Sequence, residues 1–273
     1  MNLTRKPLAG LLLLASVCGV AHGEDQALEQ AIASDTRTAN YVERDDYRHP
    51  YETLSFLGIK DDMTVVEIWP DGGWYTEILA PYLRENGKFY AAHFSADSSS
   101  SYFRDSRQTF IEKMAATPAL YDKVTLTSFS PPDELSIAPA GTADLVLTFR
   151  NVHNWYMRGG GDENVLAALS AMFTALKSGG VLGIVEHRLP EARSLDDQEA
   201  SGYMRQDYVI EMARKAGFEL AETSEINANP KDSADHPKGV WTLPPSLRLG
   251  DEDRNRYLAI GESDRMTLKF VKP

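Results

Sequence analysis

The segment Val65-Val66-Glu67-Ile68-Trp69-Pro70-Asp71-Gly72-Gly73-Trp74-Tyr75-Thr76 constrains this chain more than any other. A short apolar run closes on an acid, passes through a Gly-rich turn, and opens an amphipathic helical pattern. That order reads as a buried strand, a tight turn and a first helical turn, the junction of a layered α/β protein. Backbone N–H groups at such a junction, with the helix N-terminus behind them, suit a carboxylate or phosphate. Trp69 and Asp71 stand at two of the three places where a nucleotide-type cofactor loop carries glycine. Asp71 opposes a phosphate and tolerates an ammonium group, so a ligand with an amino acid moiety suits the loop's charge. A plain Asp-Gly-Gly turn is the alternative for the same residues.

Beyond this loop, apolar runs alternate with helical patterns. Strands are expected at Thr64–Ile68, Lys88–Phe94, Val124–Phe129, Ala143–Phe149, Val181–Glu186, Phe218–Ile226 and Met266–Val271. Helices are expected at Trp74–Leu83, with Pro81 kinking or ending it, and at Ser101–Ala116, Glu163–Lys177 and Asp207–Ala216. Gly179-Gly180 is expected to close the third of these. Apolar strands alternating with helices imply a mainly parallel sheet covered on both faces. The last two strands read as an antiparallel pair. The expected fold is α/β and Rossmann-like, with seven strands. Residues 24–58 are polar and helix-prone, an N-terminal helical extension of the 59–273 domain. Residues 227–262 hold four prolines and few periodic apolar positions, and a connection of that length is a candidate lid over a site.

The first residues read as a secretory signal peptide spanning 1–23. Arg5 and Lys6 precede an apolar run from Leu8 to Val20, too short to span a bilayer comfortably, and Ala21-His22-Gly23 suits cleavage before Glu24. A periplasmic or secreted protein with no stable membrane span after cleavage is expected. Cys18, the chain's one cysteine, leaves with the leader, so disulfides, thiolate ligands and cysteine nucleophiles are excluded from the mature chain. Losing Arg5 and Lys6 takes the net charge from −12 to −14. That acidity disfavours nucleic acid and anionic membrane as partners. It equally serves solubility.

Ligands of such sheets bind beyond the carboxyl ends of the strands. Those ends carry Glu67 with Trp69, Pro70, Asp71, Gly72 and Gly73; then His93; then Arg150-Asn151-Val152-His153-Asn154-Trp155; then Glu186-His187-Arg188. Three of the five histidines beyond residue 23 therefore fall on one edge. His153 and His187 are candidate proton acceptors, since imidazole titrates near neutral pH. Asn151, Asn154 and Tyr156 are candidates to orient a substrate.

Glu67-Ile68, the Gly-Gly loop and Trp74-Tyr75-Thr76-Glu77-Ile78-Leu79 resemble motif I of class I S-adenosylmethionine-dependent methyltransferases. The closer resemblance is to a group of exported bacterial predicted methyltransferases. It extends to Arg48-His49-Pro50, to Glu186-His187-Arg188, and to Glu262-Ser263-Asp264-Arg265-Met266-Thr267-Leu268-Lys269-Phe270. The resemblance implies S-adenosylmethionine as cofactor. Glu67 would sit by its methionine ammonium end and Gly72 and Gly73 by its approach to backbone. His93 would stand where an acid usually bridges the ribose hydroxyls, and Phe129 near the adenine. Trp69 and Asp71 at glycine positions, and His93 at an acid position, put cofactor binding in question.

Three functions stay open at this level. The first is methyl transfer to a small molecule or envelope component, with His153, His187 and Asn154 as catalytic candidates. The second is a binding or envelope protein that keeps the fold without the chemistry. The third is a metal-dependent enzyme using His93, His153 and His187, with Glu186 or Asp71 as an oxygen ligand.

Overall fold

The computed structural model describes residues 25–157 and 159–273. The expected leader lies outside the described residues. Among the described residues there are nine strands: β1 (Thr64–Ile68), β2 (Lys88–His93), β3 (Val124–Ser128), β4 (Ala143–Phe149), β5 (Leu176–Leu189), β6 (Met204–Arg205), β7 (Glu219–Ser224), β8 (Pro237–Val240) and β9 (Arg265–Val271). Seven of them form one path in the order β3-β2-β1-β4-β5-β9-β7, and β6 joins the end of β5 as an eighth. β1 to β5 run parallel. β9 lies antiparallel between β5 and β7. The expected mainly parallel sheet with an antiparallel C-terminal pair is therefore the observed one, with β6 added.

Alternation along each strand explains why the central strands read as unbroken apolar runs. Val65 and Leu145 pack with Leu79 on one face, while Val66 and Val146 pack with Leu169 on the other. Both faces are covered, so both sets must be apolar. β1 and β4 are neighbours, and the chain order reverses between them. This is the switch point where a crevice opens at the carboxyl ends of the strands.

One expectation needs correction. The helix expected at Glu163–Lys177 runs from Gly161 to Ala175, and β5 begins at the next residue. Gly179-Gly180 lies inside β5, where the register against β4 shifts between Ala143 and Leu145. A Cβ on Gly180 would meet the Lys177 carbonyl oxygen at 2.9 Å, so close backbone approach, not helix termination, requires glycine there. The expected N-terminal helical extension is present as a series of short helices: Gln26–Ile32, Ala39–Val42, Asp45–Arg48 and Pro50–Leu57. His49, at φ 43, breaks the last two apart. Leu57 docks this extension onto the sheet against Gly183, where a Cβ would meet Leu57 Cδ1 at 2.6 Å. That docking carries the extension's side chains to the strand ends.

Candidate active site

A cavity of about 490 Å³ opens at the switch point, within the usual range for small-molecule sites. The loop after β1 forms one wall. Its backbone is left-handed at Trp69 (φ 47), Asp71 (φ 51) and Gly73 (φ 83). These alternate positions are those where the general motif that the loop resembles has glycine, so the turn keeps a glycine-type backbone with large side chains attached at two of them. Each non-glycine residue in this region costs about 1–2 kcal/mol, which the surroundings must offset. Trp69 N–H donates to Ala92 O at 2.8 Å, and its indole N–H donates to Phe129 O at 2.8 Å. The indole is wedged among Phe94, Phe103, Phe129 and Trp155. Ser106 Oγ donates to Asp71 Oδ1 at 2.6 Å.

Of the residues expected at the site, Glu67, Trp69, Pro70, Asp71, Gly72, Asn151, His153, Asn154 and His187 border the cavity. Gly73, His93 and Phe129 do not. His93 is fully buried. Its Nδ1 accepts from Phe94 N–H at 2.8 Å, so Nε2 carries the proton and donates to the Asp71 carbonyl at 3.1 Å. Burial pushes its pKa down to about 4, against the opposing pull of Asp71, and the ring is neutral. The expectation that His93 meets a ligand is thus corrected: it props the loop from beneath. Phe129 is sealed behind Trp69, against whose indole its ring packs and whose N–H its carbonyl accepts. The Gly73 N–H closes a turn onto Pro70 O, and a Cβ there would meet the Phe110 ring at 3.2 Å.

Glu67 is almost wholly buried at the base of the cavity. Burial raises its carboxyl to about 7, moderated by the hydrogen bond from Thr76 and by the charges of Lys113 and Arg150. Thr76 Oγ1 donates to its Oε2 at 2.6 Å.

The opposite wall comes from the ends of β4, β5 and β9. The helix Val152–Tyr156 follows β4 directly and presents His153 and Asn154. Its first residues are set by Asn151, whose side-chain amide donates to Ile68 O at 2.9 Å. His153 Nδ1 lies 3.0 Å from Glu186 Oε1. Beside a carboxylate, Nδ1 carries the proton, which leaves the Nε2 lone pair for the cavity. Glu186 Oε2 also accepts from His153 N–H at 3.3 Å, and Oε1 from His187 N–H at 2.7 Å. The His187 ring lies 5.2 Å from that of His153, with its Nδ1 at 2.5 Å from Ser263 Oγ. Burial, then the charges of His153, Arg150, Arg265 and Arg48, push its pKa well below the usual imidazole value.

Residues missed by sequence reasoning complete the cavity. Tyr41, Arg44 and Arg48 reach it from the N-terminal extension, and Trp241, Pro244 and Arg248 from the 227–262 segment, beside Arg150 of the expected strand end after β4. That segment holds β8 and a helix, Arg254–Ile260. Arg48 and Glu262 lie in the two outlying stretches that carried the family resemblance, and they meet in space: Arg48 Nε is 3.2 Å from Glu262 Oε2.

His153, Glu186 and His187 bring possible metal-ligating atoms within 4.8 Å of one another. Two facts oppose a cation there. The Glu186 oxygens are already committed to three N–H groups. Arg44, Arg48 and Arg150 line the same space. His93 and Asp71, invoked with them in the metal reading, are not part of this cluster.

No protein-family model matches the chain, and no curated protein does. Solved structures do. An S-adenosylmethionine-dependent methyltransferase from Aquifex aeolicus is similar at 14% identity and a TM-score of 0.56, over 85% of this chain and 93% of that one. The [4+2]-cyclase SpnF is similar at 14% identity and a TM-score of 0.55, over 91% and 92%. The O-methyltransferase NcsB1 of neocarzinostatin biosynthesis was solved with S-adenosylmethionine and 2-hydroxy-5-methyl naphthoic acid. It is similar at 14% identity and a TM-score of 0.52, over 86% of this chain and 55% of that one. The fold is that of class I methyltransferases. Among the described residues, no helix is long and apolar enough to cross a membrane.

Proposed function

We propose that this protein is an S-adenosylmethionine-dependent methyltransferase of a small-molecule or envelope acceptor, exported by the leader expected at residues 1–23. The observation that carries the reading is one cavity at the β1/β4 switch point bordered by both Glu67 and His153, with Glu186 paired behind His153.

The residues present fit the cofactor, with one relocation. Glu67, at the end of β1, suits the ammonium of the methionine end. The aromatic wall of Trp69, Phe94 and Phe103 suits the adenine face. His93 has no free atom for the ribose hydroxyls, but its bond to the Asp71 carbonyl holds Asp71 at the cavity border. The Asp71 carboxylate is then the acid that the border offers to a diol. S-adenosylmethionine held by these residues would supply an electrophilic methyl group on a neutral thioether leaving group. His153 Nε2 accepts the proton of the acceptor, Glu186 stabilises the resulting imidazolium, and Asn154 orients the acceptor. Positioning supplies much of the acceleration, because the leaving group is good; a placed base adds about 10²–10⁴-fold.

A second reading, a binding protein that keeps the fold alone, is favoured by the Trp69 indole packed into its own wall. Calorimetry of the mature chain with S-adenosylmethionine and S-adenosylhomocysteine separates the two. Saturable heat supports the enzyme. No heat and no thermal shift at millimolar ligand would leave the binding protein.

A further inference from the structure

One carboxylate serves four guanidinium groups at the back of this cavity. Arg44 Nε lies 2.7 Å from Glu262 Oε1. Arg48 Nε, Arg265 Nη1 and Arg150 Nη1 lie 3.2, 3.0 and 4.0 Å from Glu262 Oε2. Guanidinium groups stay charged in proteins, so about three positive charges go unmatched in a region where Arg48, Arg265 and Glu262 are nearly inaccessible to water. The imbalance is local, because the whole chain carries a net charge of −12. Burial would raise the Glu262 carboxyl, yet the guanidiniums of Arg48, Arg265, Arg150 and Arg44 together hold it well below the usual carboxylate range. Buried like charges repel and are desolvated at a cost, so such an arrangement favours an incoming anion.

Arg44, Arg48 and Arg150 border the cavity itself. Arg150 is three residues before His153, so it stands on the side of the candidate base and away from the Trp69–Gly73 loop. Apart from the rings that face the adenine, the remaining wall is aromatic too: Tyr75, Phe149 and Trp241.

We propose that Arg44, Arg48 and Arg150 form a carboxylate-binding site for the acceptor, and that the acceptor is an aromatic or similarly flat organic acid. In calling the ligand an acceptor, this rests on the methyltransferase reading. The anion site itself stands on the arginines alone. The planar fork of a guanidinium matches a carboxylate with two parallel bonds, and the rings take the apolar body.

The test is calorimetry of the full mature chain with 4-hydroxybenzoate and 4-hydroxybenzamide as probes, at low and high salt, with and without S-adenosylhomocysteine. The acid is expected to bind about tenfold or more tightly than the amide, to weaken with salt, and to bind equally with S-adenosylhomocysteine present. R44Q and R150Q each weaken the acid about tenfold, while R44K, which keeps the charge but not the fork, recovers only part of the binding. Circular dichroism melts check that each variant folds, and the Arg44 side chain, one-fifth exposed, is the safer site. Equal binding of acid and amide, no saturable heat with the acid, or variants indistinguishable from the natural chain overturn the site. So does displacement of the acid by S-adenosylhomocysteine, which assigns the arginines to the carboxylate of the cofactor. Acid binding without any S-adenosylhomocysteine heat keeps the site and removes the methyltransferase reading.

Discussion

The two walls of the cavity use their polar groups in opposite ways. On the β1–β2 side, His93, Gly73 and the Trp69 indole spend their hydrogen bonds on the loop itself. On the β4–β5–β9 side, His153, Arg150 and Arg44 are held by partners behind them and still face the cavity. The first wall is a scaffold that fixes an unusual backbone. The second is an array of charge. A polar residue at a strand end is therefore a site candidate only after its other bonds have been assigned.

The comparison can be broken from its charged side first. Glu262→Ala leaves four guanidiniums without their shared carboxylate and should cost about 3–5 kcal/mol in urea unfolding, as for a broken buried pair. A loss under about 1 kcal/mol would mean the arginines repel little and no anion is called for.

Glu67, between the walls, has the next largest effect and the opposite sign. Its folded pKa, about 7, lies above the unfolded value near 4.5. The folded chain therefore holds a proton that the unfolded chain releases, and stability falls as pH rises from 4.5 to 7, then stays level. The linked cost above pH 7 is about 3 kcal/mol. Glu67→Gln should stabilise the empty protein at pH 8 by up to about that amount and leave it unchanged at pH 4; melts at the two pH values check this. Equal shifts at both would remove the titration from the account.

His93→Asp tests the scaffold wall. It removes the donor to the Asp71 carbonyl and buries a carboxylate, so unfolding should show a loss of about 2–3 kcal/mol. Affinity for S-adenosylhomocysteine should not improve; a gain would restore residue 93 to the ligand. Asp71→Gly carries the smallest effect. Relief of the left-handed strain, about 1 kcal/mol, nearly cancels the lost Ser106 bond, so stability should move by no more than about 1 kcal/mol in either direction. Cofactor affinity should fall if Asp71 holds the diol, and an increase would make Asp71 an obstruction.

Much of the sheet was legible because its signals are local. β4 and the helix Ser101–Ala116 fall where the apolar run and the helical pattern put them, since strands covered on both faces tolerate few polar residues. The early start of β5 was hidden, because Lys177 to Gly180 reads as a helix end while a shifted register carries it into the strand. At the site, Glu67, His153 and His187 were legible as strand-end residues. The arginine cluster was not: Arg150 reads as a strand-end residue, but Arg44, Arg48 and Arg265 are ordinary polar residues in their own windows, and nothing local announces that Arg48 and Glu262 meet. His93 failed for a different reason, since position identifies a strand end but not which way a ring points.

The Arg44–Glu262 pair joins residues 218 positions apart, one in the N-terminal extension and one just before β9. β9, which closes the sheet between β5 and β7, follows Glu262 by three residues. The stretch of chain that completes the sheet therefore also brings in the one carboxylate shared by the arginines, so sheet completion and charge balance in the cavity are one event.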